Sequence, residues 1–146
     1  MFINIHREGH MRIAVASTPE GQVYDGHFAH APIFKIYEYT PGGGLRPVEE
    51  RKNPLGDVPD LDAQPHHHAH HHHHHGVSKY AWLREKVLPD VDAVIAAGAC
   101  QTSHNYFTSQ GVRMLYTDPV PIDLLEQYIR ENPEEFERAL GDAAEG

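Results

Sequence analysis

Asp92-Ala93-Val94-Ile95-Ala96-Ala97-Gly98-Ala99-Cys100-Gln101-Thr102-Ser103 decides the architecture of this chain. Its first half is a short, continuous apolar run, the pattern of a strand covered on both sheet faces. Gly98 ends the run, and the small and polar residues after it lead into a short helix that closes near Gly111. Val112-Arg113-Met114-Leu115-Tyr116-Thr117 then supplies a further strand, which completes a parallel β-α-β unit.

Upstream, Arg12-Ile13-Ala14-Val15-Ala16-Ser17 is a second apolar run ending in a small polar residue. After a loop with Gly21, Gly26 and Pro32, the segment from Ile33 to Tyr39 is β-branched and aromatic. Pro41-Gly42-Gly43-Gly44 turns it back into a hairpin partner from Leu45 to Lys52. Helical spacing resumes at Val77, with Tyr80, Leu83, Val87 and Leu88 near one face, Trp82 at its border, Gly76 or Ser78 as caps and Pro89 as the stop. Two more helices are predicted at Pro121 to Glu131 and Pro133 to Leu140, followed by an acidic tail, 141–146, that frays. The order β-β-β-α-β-α-β-α-α predicts an α/β fold with a mixed sheet and right-handed crossovers. Ligands of such sheets lie at strand carboxyl ends where the winding reverses, which points to the loops after Ser17 and after Gly98.

Composition narrows the function classes. With 12 Lys and Arg against 21 Asp and Glu, the net charge of −9 offers no general attraction to nucleic acid or anionic membranes. Cys100 is the only cysteine, which excludes an intrachain disulfide and any four-thiolate metal site from one chain. A reducing, cytoplasmic setting is expected. The apolar stretch at the start is too short for a signal peptide, and no later run has membrane-spanning length. Met11 opens a better strand than Met1, so residues 1–10 read as an extension on one domain covering 11–140, with Met11 as the expected natural start. An ordinary N-terminal arm is the alternative.

Within the domain, the 53–76 segment holds Pro54, Gly56, Pro59 and Pro65 and lacks apolar periodicity. It also holds His66-His67-His68-Ala69-His70-His71-His72-His73-His74-His75, nine imidazoles that are candidate ligands for a divalent transition metal. Zinc, copper and nickel suit them alike. Three other readings stand beside this one. An engineered tag is normally terminal and uninterrupted, whereas Ala69 breaks this run. A solvated low-complexity loop needs no task. A pH-responsive element is also open, because protonating all 14 His would reverse the sign of the net charge.

Asp25-Gly26-His27-Phe28-Ala29-His30-Ala31-Pro32-Ile33-Phe34 resembles the S/D-x-H-F-G-x-A-P-x-F segment of the dinitrogenase iron-molybdenum cofactor biosynthesis family, which includes nitrogenase accessory proteins. Met11 to Ser17, Val91 to Gly98 and Gly111-Val112-Arg113 are similar to that family as well, so the likeness runs from Met11 to about Arg130. The resemblance implies a three-layer ribonuclease H-like motif with a five-stranded mixed sheet. It also implies a non-catalytic role in holding metal-sulfur clusters of molybdenum or iron, with copper as a further candidate, and exchanging them with a cytoplasmic recipient or donor protein. Two positions depart from the pattern. Ala29 stands where the family has Gly, and Ala97-Gly98-Ala99-Cys100 replaces a Gly-Gly-x-Gly turn, which introduces a thiol.

On that resemblance His27 is the expected cluster or metal contact, the alternative being a loop histidine that caps backbone groups. His30 is a weaker candidate, since the pattern does not demand histidine there. Cys100 opens a helix, whose dipole favours the thiolate that binds metal or attacks sulfur; the alternative is a small buried hydrophobe. His104, one turn later, either shares a ligand with Cys100 or faces solvent. If the strands ending at Ser17 and Gly98 are neighbours, His27 and Cys100 ring one crevice with Ser17, Gly98, Ala99, Gln101 and Thr102, whose backbone N–H groups suit an anionic sulfide cluster. The histidine tract would then emerge at its rim.

Three functions compete. The first is a carrier or scaffold for a metal or metal-sulfur cofactor, and the second a histidine-rich metal store or sensor. The third is a thiol- or metal-dependent enzyme. Ribonuclease H-type catalysis needs carboxylates around two cations, whereas the strand ends supply Ser17, Thr18 and Gly98. A nucleophilic Cys100 with His27 or His104 as base lacks an evident orienting group.

Overall fold

The computed structural model describes residues 10–42, 44–58 and 73–145. Strands β1 (Met11–Ser17), β2 (Ile33–Thr40), β3 (Gly44–Lys52), β4 (Ala93–Ala96) and β5 (Arg113–Tyr116) form one five-stranded sheet in the order β3-β2-β1-β4-β5. β2 is antiparallel to β1 and β3, while β4 is parallel to β1 and β5. The sheet is therefore mixed, and β1 and β4 are the neighbours that the crevice requires. Helices α1 (His73–Lys86), α2 (Gln101–Ser109), α3 (Ile122–Glu131) and α4 (Pro133–Glu145) complete the expected element order.

Side chains alternate across a strand, so each strand feeds two cores. Ala14, Ala16, Phe34, Ile36, Val94, Ala96 and Met114 pack on one face with Tyr80 and Leu83 of α1, Leu88 just after it and Phe107 of α2. Ile13, Val15, Tyr37, Tyr39, Ala93 and Ile95 pack on the other with Ile122 and Ile129 of α3 and Phe136 and Leu140 of α4. This is a three-layer α/β fold with the sheet in the middle. The Tyr37 hydroxyl donates to Glu126 and the Tyr39 hydroxyl to Glu137, so two phenols buried against the sheet find acceptors on the helices above.

Element boundaries differ from expectation at two helices. α1 begins at His73, about a turn before Val77, so Gly76 and Ser78 lie inside it rather than capping it. α4 continues to Glu145, and 141–145 extends a helix instead of fraying. Ala143 and Ala144 are strong helix formers and carry the last turn. The candidate ligands His66, His67, His68, His70, His71 and His72 lie outside the described residues, as do residues 1–9 of the extension over 1–10. For His73, His74 and His75 the backbone of α1 alone is described.

An ion cluster ties β3 and β1 to the turn that precedes β4. Arg51 of β3 donates both guanidinium nitrogens to Asp90 at 2.8 Å, and Arg12 of β1 reaches the same carboxylate at 3.0 Å. The Arg51 hydrogen bonds outweigh burial and hold the Asp90 carboxyl at about 2, below its ordinary value of 3.8. A carboxyl depressed by folding stabilises the native state above its unfolded pKa, and that stabilisation is lost as pH falls through the folded one. Acid unfolding should show a loss of stability between pH 3.8 and about 2 that Asp90→Asn removes, read from urea midpoints across that window. Among the described residues no helix is long and apolar enough to cross a membrane.

Candidate functional site

The loop after β1 folds back over the end of β4 and meets it through backbone. His27 and Gly98 form an isolated parallel bridge, and the Phe28 N–H donates to the Gly98 carbonyl at 2.9 Å. Only glycine permits this approach, because a Cβ on Gly98 would lie 2.7 Å from the Gly26 carbonyl oxygen. The glycine on which the β4 reading ended thus seats the histidine motif beside the thiol.

His27 is also the N-cap of a 3-10 turn, Phe28–His30, in which its Nδ1 accepts from the Ala29 N–H at 3.2 Å. The other ring nitrogen, Nε2, is 3.1 Å from the Tyr80 hydroxyl and 3.4 Å from Ser103 Oγ. The Tyr80 ring lies parallel to the imidazole, with centroids 5.5 Å apart, and its hydroxyl is 3.2 Å from Cys100 Sγ. Elements remote in sequence, the motif loop, α1 and the start of α2, therefore converge on one thiol.

Cys100 is the N-cap of α2. Its Sγ accepts from the Ser103 N–H at 3.4 Å, while Ser103 Oγ accepts from the Cys100 N–H at 3.1 Å, which makes a reciprocal capping box with sulfur in place of the usual oxygen. The half-buried position opposes ionisation of the thiol. Hydrogen bonds from Tyr80 and Ser103, with the Ser103 and Thr102 backbone N–H groups, outweigh that penalty and set the pKa below its ordinary value.

Cys100 also opens onto a cavity of about 430 Å³ walled by Ala97, Gly98, Ala99, Gln101, His104 and Tyr116. His104 Nδ1 and the Tyr116 hydroxyl are 2.7 Å apart, and their rings stack at 5.8 Å. Burial, then the charge of Cys100, pushes the Tyr116 hydroxyl up to about 12. The thiol thus stands between two imidazole-phenol pairs, His27 with Tyr80 on the core side and His104 with Tyr116 on the open side.

Sequence-predicted residues divide accordingly. His27, Cys100, Gly98, Ala99, Gln101 and His104 gather at the end of β4, while Thr102 contributes its backbone N–H and exposes its side chain. Ser17 does not join them. By the period-2 alternation it shares the face of Ile13 and Val15, away from Cys100, and its buried Oγ donates to the Thr18 carbonyl at 2.7 Å. His30 is buried as well: Nδ1 lies 3.0 Å from both the Leu55 and Val58 carbonyls, and Nε2 is 3.1 Å from Lys79 Nζ. Among the described residues no three His, Cys, Asp or Glu side chains form a group that could hold a metal ion.

Sequence reasoning assigned Tyr80 to the apolar core and gave Ser103 and Tyr116 no role. Asn53 escaped it too. That residue is 1% exposed, and its amide donates to the Ala29 and Ala31 carbonyls at 2.9 Å each, fastening the motif loop from the far side.

The chain matches the family described as dinitrogenase iron-molybdenum cofactor over residues 10–131. No curated protein matches it. Among solved structures it is similar to the crystal structure of PH0822, with 17% identity, a TM-score of 0.56, and coverage of 83% of this chain and 92% of that one. It is also similar to an NMR structure of a NifB-like Thermotoga protein at 19% identity, with a TM-score of 0.47 and coverage of 86% of this chain and 88% of that one.

Proposed function

The chain belongs to the dinitrogenase iron-molybdenum cofactor family, and from that premise we propose that it binds and carries a metal-sulfur cluster, without catalysing a reaction, in the crevice around Cys100. The observation that carries this reading is the Cys100 sulfur itself: it caps α2, collects O–H and N–H donors that favour the thiolate, and faces an open cavity. A thiolate is the protein ligand best matched to iron, molybdenum or copper in a sulfide environment. His104 shares the cavity wall and supplies an imidazole to the same cargo, with Tyr116 fixing its ring. The N–H groups at the start of α2 suit the negative charge of the cluster sulfides. A cytoplasmic donor or recipient protein completes the exchange.

A second reading, a histidine-rich metal store, is favoured by the tract from His66 to His75. In the carrier reading that tract recruits metal to the crevice rim, since α1 bears His73–His75 at one end and Tyr80 two turns further on. Tetrathiomolybdate titration of protein purified without an immobilised-metal column separates the two. The sulfur-to-metal charge-transfer band of the titrant should shift on binding to the wild-type chain, and Cys100→Ala with the tract intact should lose at least tenfold in affinity, about 1.4 kcal/mol. Equal binding by Cys100→Ala would reject the crevice and leave the tract as the site.

A further inference from the structure

We infer that His27 serves the crevice as a positioning hydrogen-bond donor rather than as a metal ligand, and that Tyr80 relays its polarity to the Cys100 sulfur. The inference rests on the crevice reading above and assigns roles within it. Its starting point is the cap: Nδ1 of His27 accepts from the Ala29 N–H, so that nitrogen carries the lone pair. A neutral imidazole then has its proton on Nε2. Ser103 Oγ, 3.4 Å from Nε2, has a lone pair to accept that proton. The Tyr80 oxygen, at 3.1 Å, accepts from the same N–H. The Tyr80 hydroxyl is also 3.2 Å from Cys100 Sγ, and donation of its proton along that contact is the direction that favours the thiolate. In that arrangement the donors run from His27 to Tyr80 to Cys100, and a backbone amide two residues from His27 sets the direction of the first step.

Two consequences follow for the site. A sulfur that receives an O–H bond has its thiolate or metal-bound form favoured over the thiol, and Cys100 lines the cavity as well. His27 has one nitrogen committed to the backbone and a proton on the other, so coordination through it would require breaking the cap. The motif histidine and the thiol thus cooperate without sharing a metal.

Nitrogen-15 spectra of the apoprotein, with the His27 signals assigned by their loss in His27→Gln, test the first step directly. The expected result is an Nε2–H tautomer; an Nδ1–H tautomer would overturn the inference whether or not the protein binds any cargo. Tyr80→Phe keeps the ring in the core and removes only the hydroxyl. It should weaken tetrathiomolybdate binding about tenfold, the usual scale for one hydrogen bond to a charged acceptor, and shift the charge-transfer band, with thermal stability nearly unchanged. An unmoved band and affinity in Tyr80→Phe would remove Tyr80 from the relay. A loss in His27→Gln as complete as in Cys100→Ala would restore His27 as a ligand.

Discussion

Replacing Phe28 with alanine should lower the unfolding free energy by about 3–5 kcal/mol, the range for deleting a fully buried aromatic ring. Phe28 is 0% exposed and meets Phe107 of α2 edge to face, with centroids 5.3 Å apart. It also lies under the His27 ring at 5.4 Å. The cavity left by truncation cannot close easily, because the Phe28 backbone is held to Gly98 and the sheet forms the opposite wall. A domain of this size has a total stability of roughly 5–15 kcal/mol, so this one ring carries a large share of it. Urea unfolding at constant m-value measures the loss. Because the loop is anchored by backbone bonds rather than by the ring, the molecules that remain folded should bind tetrathiomolybdate almost as the wild type does. A loss below about 1 kcal/mol would mean that the loop packs loosely on α2.

The contrast between Phe28 and Tyr80 shows how far the sequence could be read. Strands β1 and β4 were legible because fully buried strands are written as unbroken apolar runs, and Ser17 and Gly98 marked their ends. Cys100 was legible as a helix start because small and polar residues surround it. Ser17 was misplaced for a reason the sequence does contain: counting alternate residues from Ile13 and Val15 puts its side chain on the α3 and α4 side. The role of Tyr80 was not legible, since a tyrosine at an apolar helical position reads as core. Its ring is core, at 0% exposure, and only its hydroxyl is functional. The start of α1 was hidden by Gly76, which punctuates a pattern locally even where the helix runs through it. The histidine tract announced metal more loudly than any other segment; among the described residues, the groups that converge in space come from the motif loop, α1, α2 and β5.

Asn53 is the residue on which sequence gave no signal and for which the second large effect is expected. Its side-chain amide sits inside the protein, spends both hydrogens on the Ala29 and Ala31 carbonyls, and accepts from the Leu55 N–H at 3.1 Å. The partners lie 24 and 22 residues away, so nothing local marks the position as special. Asn53→Ala strips two carbonyls of their donor in a place closed to water. At roughly 1–3 kcal/mol per unsatisfied buried group, the expected loss is about 2–6 kcal/mol in urea unfolding. Asn53→Asp is the sharper probe. It preserves the shape and the acceptor for Leu55 but turns an ionised oxygen toward the two carbonyls, so at neutral pH it should destabilise at least as much as alanine. Burial and those carbonyls raise the folded-state pKa of the new carboxyl above its unfolded value. Its penalty should therefore shrink as pH falls through that raised pKa, when the acid regains one O–H donor. A penalty that does not respond to pH would mean that the loop has moved and the carbonyls have found other donors. Since Ala29 supplies the N–H that caps His27, and its own carbonyl is the one Asn53 holds, such movement should also disturb the His27 tautomer. Stability and the nitrogen-15 signature of His27 should therefore change together across the Asn53 variants.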